Sequence, residues 1–125
     1  MLQIDGEWYN VPVIALSRKA DFLDKYASRT EDGVLQRELI GVFFNYQLKL
    51  GSTGDTAEYD RLWRKLTQPK EFHSVTVPGT GGDYTFTAYF SGVKDSLLRE
   101  IPRENRWTGL TVNFIARSPV TEGYP

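Results

Sequence analysis

Between Leu39 and Leu50 the chain reads Leu-Ile-Gly-Val-Phe-Phe-Asn-Tyr-Gln-Leu-Lys-Leu, so Ile40, Val42, Phe44, Tyr46, Leu48 and Leu50 recur with a period of two. A pleated strand turns all six toward one face, opposite Asn45, Gln47 and Lys49, whereas a helix would scatter them around its axis. The pattern predicts one long, half-buried β-strand. At about 3.3 Å per residue it spans roughly 40 Å, while a compact domain of this length has a radius of gyration of roughly 14 Å. Such a strand must bend or project. Gly41 is placed for a bend or bulge, and Leu39 and Phe43 make the opening residues apolar on both faces. The start of the strand is therefore expected between two layers, and its end toward solvent or a neighbouring subunit.

The flanking segments supply further strands and one helix. Leu2, Ile4 and Trp8 surround Asp5-Gly6, a dipeptide suited to the positive φ of a two-residue turn, which predicts a small N-terminal hairpin. Val11, Val13 and Ala15 alternate, and Pro12 favours an edge or the first residues of a strand. From Arg18 to Arg29 the helical spacing of Phe22, Leu23 and Tyr26 lies in a short segment without a stop signal, which reads as an irregular arm holding at most one helical turn. Glu31-Asp32-Gly33 turns that arm into the long strand, so the two are expected to form a large hairpin.

After Gly51-Ser52-Thr53-Gly54, a helix is predicted from Thr56 to Thr67. Asp55 supplies the N-cap and Glu58 stands where a capping box needs it. Tyr59, Leu62, Trp63 and Leu66 form one apolar stripe, Asp60, Arg61, Arg64 and Lys65 face water, and Pro69 stops the helix. Phe72, Val75 and Val77, the loop Pro78–Asp83 and the alternation from Tyr84 to Phe90 predict another hairpin, with Tyr84, Phe86, Ala88 and Phe90 on one face. Leu97, Leu98 and Ile101 form an apolar patch before charged residues whose pattern assigns no element, and the region is open to being a mobile loop. A last strand is expected from Leu110 to Ala116, with Leu110, Val112, Phe114 and Ala116 inward, followed by a flexible tail over 118–125.

Six to seven strands and one helix, without β-α-β alternation, predict a mainly β, α+β fold: an antiparallel β-sandwich or open barrel with a long hairpin and one helix packed on the sheet. The 125 residues suit a single domain, 1–125, and their net charge of −1 gives no general grip on nucleic acid or anionic lipid. The absence of cysteine removes disulfides, thiolate metal sites and cysteine nucleophiles together. No signal peptide is visible at the N-terminus, and no segment approaches the roughly 20 apolar residues of a membrane span. A soluble protein made in the cytoplasm is the expectation.

Signals for chemistry are sparse. His73, the single histidine, is the one candidate general base, but at a strand start it reads as a surface side chain. Asp55 with Glu58, and Glu31 with Asp32, are carboxylate pairs already explained by a helix cap and a turn. Gly79–Gly82 lacks the lysine and the following helix of a phosphate-binding loop. Trp63 belongs to the helix stripe and therefore to the core. Trp8 and Trp107 are left as candidates for stacking on a ligand, with core or interface packing the alternative for both. No catalytic, cofactor-binding or metal residue is assigned, and no cofactor is expected.

Several of these stretches carry a resemblance. Arg29-Thr30-Glu31-Asp32-Gly33, Arg37-Glu38-Leu39-Ile40-Gly41, Asn45-Tyr46, Glu58-Tyr59 on a helix ending before Pro69, Thr85-Phe86-Thr87-Ala88-Tyr89 and Leu110-Thr111-Val112-Asn113-Phe114-Ile115-Ala116 resemble small proteins encoded among the tail genes of prophages in Gram-positive bacteria. The similarity covers most of the chain, and its motifs are structural. More distantly, the expected fold is similar to that shared by tail-tube, tail-terminator and distal-tail proteins of long-tailed phages. The resemblance implies a non-enzymatic virion subunit that self-associates, commonly into hexameric rings, beside other tail proteins, with no specific nucleic-acid or membrane partner. It also implies a location in the bacterial cytoplasm during assembly and then in the virion tail. The alternative from the residues is a β-sandwich that binds a small ligand or carbohydrate through Trp8 or Trp107.

Overall fold

The computed structural model describes residues 2–101 and 104–120. It contains strands β1 (Gln3–Ile4), β2 (Glu7–Trp8), β3 (Val13–Arg29) and β4 (Leu35–Leu50), helix α1 (Thr56–Leu66), and strands β5 (His73–Pro78), β6 (Asp83–Ile101) and β7 (Glu104–Ala116). The strands form one antiparallel sheet in the order β2-β1-β5-β6-β7-β4-β3, which is not closed into a barrel. This is the mainly β architecture with one helix that the spacing predicts.

The sheet is rolled, and chain connectivity requires it. In a flat sheet of seven strands, six spacings of about 4.8 Å would separate the edges by roughly 29 Å. The edge strands β2 and β3 follow each other in sequence, and the Cα steps from Trp8 to Val13 cover at most about 19 Å. The roll also brings Tyr46 of β4 to Phe86 of β6, ring centroids 5.3 Å apart, across the intervening β7.

Inside the roll lies a single core. Tyr46, Leu48 and Leu50 of β4 meet Leu110, Val112 and Phe114 of β7, Ala88 of β6, Val75 and Val77 of β5, and Leu2 and Ile4 at the N-terminus. Helix α1 closes it with Tyr59, Leu62 and Leu66, while Trp63 packs half-buried against the same cluster. Asp55 caps the helix by accepting the Glu58 N–H at 3.2 Å. The reciprocal half of the expected capping box is not made. Glu58 instead accepts the Asn10 backbone N–H at 3.1 Å and pairs with Arg61 at 2.7 Å. Arg61 also donates to the Trp8 carbonyl at 2.6 Å and lies over the Tyr9 ring. The first turns of α1 are thus tied to the segment that joins the two sheet edges, and the partners of Glu58, Arg61 first, hold its carboxyl down at about 2.

The predicted hairpins form where turn chemistry marks them. Asp5 and Gly6 both take positive φ, 52° and 80°, which accounts for the Asp-Gly turn between β1 and β2. Thr30–Val34 closes β3 onto β4, with Gly33 at φ 86°. Gly79 donates to the Gly82 carbonyl in the β5–β6 turn at 2.8 Å.

Four expectations are overturned. Arg18–Arg29 is not an irregular arm but part of a regular strand paired with β4 along its length. Bulges at Ile14, Lys25 and Ile40 shift the register, and those in β3 break the two-residue alternation that would mark a strand. The segment around Leu97 and Leu98 is likewise strand, paired with β7, rather than a loop. The long strand points the other way from expectation: its end, Tyr46–Leu50, lies in the core, while its start, Leu35–Ile40, is exposed. Paired apolar residues at Leu39 and Phe43 mark a projecting hairpin and not a buried one. Finally, the tail is held as far as Val120, which bridges to Val42, and a Cβ at Gly41 would overlap Pro119. The rest of the expected flexible tail, 121–125, lies outside the described residues.

Candidate functional site

Two hairpins reach beyond the shared body. β4 and β7 pair only from Tyr46↔Phe114 to Leu50↔Leu110. Past Tyr46, segment 35–45 and its partner in β3 extend the first hairpin roughly 35 Å. Past Leu110, β7 and β6 extend in the opposite sense, because the two central strands are antiparallel. The protein therefore has a β3–β4 arm at one end of the sheet and a β6–β7 arm at the other.

The β3–β4 arm is apolar where a soluble hairpin should be polar. Phe22 is 61 % exposed and Ile40 55 %, with Leu23, Leu35 and Leu39 also largely exposed. Ionic contacts stiffen it and still leave these groups exposed: Arg37 donates to Asp24 at 2.6 Å and reaches over the Phe22 ring. At its root Asn45 is the joint, donating to Asp21 at 2.6 Å and accepting the Ala116 N–H at 2.8 Å. The outer edge of β3 is a sheet edge of 17 residues.

The β6–β7 arm leans on α1 instead. Its register shifts between Ser91 and Lys94, between Lys94 and Ser96 and between Leu97 and Arg99, and Gly92 and Gly109 take φ of 63° and 70°. Those bulges bend the arm so that Asp95 accepts a hydrogen bond from the Tyr59 hydroxyl at 2.9 Å. Burial, and then this carboxylate, push the Tyr59 phenol well above its ordinary range. Between arm and helix lies an open cleft of about 500 Å³, lined by Tyr59, Asp60 and Trp63 on one side and Asp95, Arg106 and Trp107 on the other.

His73 is not a surface side chain: it is 2 % exposed. Its Nδ1 lies 2.7 Å from Asp5 Oδ2, its ring stacks on Phe90 at 4.6 Å, and its Nε2 has no hydrogen-bond partner among the described residues. Asp5 also accepts the Ser74 N–H at 2.9 Å and pairs with Lys65 at 3.3 Å. Burial alone would raise the Asp5 carboxyl, but the bonds from His73, Ser74 and Lys65 outweigh it and bring it to about 2. This cluster fastens the β1–β2 turn to the start of β5 and the end of α1.

The remaining candidates have structural surroundings. Asp32 accepts from the Thr30 hydroxyl and the Val34 N–H within the arm's turn. Among the described residues, no group of three or more His, Cys, Asp or Glu could hold a metal ion, and no helix is long and apolar enough to cross a membrane. Trp8 is exposed beside the connector, apart from Trp107. Trp63, expected in the core, is half-buried and lines the cleft, so the tryptophan that shares it with Trp107 is Trp63. Asp95 and Arg106 stand in stretches whose periodicity is broken by bulges, and neither carries a signal in sequence. No protein family, curated protein or solved structure matches this chain.

Proposed function

We propose that the chain is a non-enzymatic structural subunit of a phage or phage-like tail, which assembles by self-association into rings through its β3–β4 arm. The observation that carries this reading is the arm itself: a hairpin overshooting the body, with exposed Phe22, Leu23, Leu39 and Ile40 and a long outer strand edge. Exposed apolar surface of this kind marks interaction sites, and an open edge offers backbone donors and acceptors to a further chain. Copies joined through unlike surfaces close into rings when the rotation between them permits. An arm of this length can supply the roughly 800 Å² per partner that a stable interface needs. The burial of His73 against Asp5 and Phe90 gives it a packing role and supports a reading without acid–base catalysis.

Light scattering over a wide concentration range, followed by electron microscopy of the largest species, tests the proposal. Discrete oligomers with ring-shaped particles are expected. A strict monomer that also binds no phage tail protein would overturn it.

A further inference from the structure

The cleft between α1 and the β6–β7 arm has a composition that selects a ligand class. Two indoles, Trp63 and Trp107, come from different elements to one space of about 500 Å³, within the range of roughly 300–1,000 Å³ typical of small-molecule sites. The arm is held over the helix by the Tyr59–Asp95 hydrogen bond, so the space is preformed. Around the indoles stand Asp95, which accepts from Tyr59, and Asp60, which is paired with Arg64, while Asn105 and Thr56 can each donate or accept. The rim offers no single-sign field to an anion or a cation, because Asp60 is already paired with Arg64 at 2.8 Å. A purely apolar ligand would desolvate these polar groups without replacing their hydrogen bonds. A neutral polyhydroxylated ring suits such a lining: its hydroxyls both donate and accept, and its C–H face covers an indole, whose body is apolar and whose N–H is polar.

We propose that this cleft is a carbohydrate-binding site for a neutral saccharide of one or two rings. Trp107, which is 43 % exposed, offers its face to the sugar, and Asp95 and Asn105 bond the hydroxyls. The site lies at the opposite end of the sheet from the β3–β4 arm, so it is separable from assembly through that arm.

The test is a titration of the full chain followed by the tryptophan indole N–H resonances. The probes are maltose, lactose, cellobiose and N,N′-diacetylchitobiose, with choline chloride as cation and inorganic phosphate as anion. At least one disaccharide is expected to shift the Trp107 resonance saturably, while choline and phosphate do not. Trp107→Ala should weaken that binding at least tenfold, Asn105→Ala should weaken it less, and Trp8→Ala should leave it unchanged. Trp107 and Asn105 are both exposed, so the variants should fold, which the remaining indole resonances report. The proposal is overturned if none of the four disaccharides binds, if choline or phosphate binds instead, or if binding survives Trp107→Ala. It is equally overturned if the Trp107 resonance moves with protein concentration alone, since a second copy would then occupy the cleft.

Discussion

The two halves of β4 are both pleated strand carrying apolar side chains, and they meet opposite fates. From Tyr46 to Leu50 the strand has β3 on one side and β7 on the other and faces α1, so every second side chain is buried. From Leu35 to Ile40 its one partner among the described residues is β3, and its apolar side chains stay in water. Alternation alone specifies a pleat with an apolar face; it does not specify what covers that face. In the core half the cover is the chain's own helix. For the arm half, the cover we propose is another copy of the chain.

Substitutions should separate these halves sharply. The largest effect is expected in the core: Leu62 is fully buried where α1 meets the sheet, and Leu62→Ala should cost about 2 to 5 kcal/mol in chemical denaturation. A midpoint that barely moves would mean that the helix is not docked as described. His73→Ala removes a buried ring stacked on Phe90 and leaves Asp5 without its closest partner. A loss of about 2 to 3 kcal/mol is expected, where a surface histidine would cost within about 0.5 kcal/mol.

Acid should act on the same corner. The Asp5 carboxyl titrates at about 2 in the folded protein against 3.8 as its ordinary value. Its folded-state pKa is depressed, so its contribution is complete above about pH 4 and disappears as the pH falls toward 2, amounting to at most about 2 kcal/mol. Unfolding midpoints measured between pH 2 and 5 should therefore climb less steeply in Asp5→Asn than in the parent. Parallel curves would show that the cluster does not hold the carboxylate as described. The smallest effect on stability belongs to the arm: Phe22→Asp is expected to shift it by no more than about 0.5 kcal/mol, because the side chain is already in water. A large loss in a dilute monomer would show that Phe22 packs within its own chain.

What could be read in advance follows the same division. Strand spacing, the Asp-Gly and Gly33 turns, the helix stripe and the inward faces of β6 and β7 were legible because they are local and regular. Arg18–Arg29 and the region of Leu97 and Leu98 were not, because each bulge adds a residue on one strand and flips the phase of the alternation. The burial of His73 depends on Asp5, 68 residues away, and no local pattern announces such a pair. The cleft joins Trp63 and Trp107 from elements that only the bend of the β6–β7 arm brings together. Sequence pointed to Trp107 and left Asp95 and Arg106 unmarked.

Backbone hydrogen exchange along β3 tests the role of the arm most directly. β3 is an edge strand, so the N–H groups on its outer side have no partner strand among the described residues. Exchange is followed from low to high protein concentration in the wild type and in Phe22→Asp. If the arm is the assembly surface, protection over Ile14–Arg29 should rise with concentration in the wild type and stay low in the variant. Protection of Leu48 and Val112 in the core should be the same in both. Exchange along β3 that is indifferent to concentration while the protein oligomerises would place the interface elsewhere and contradict the assignment.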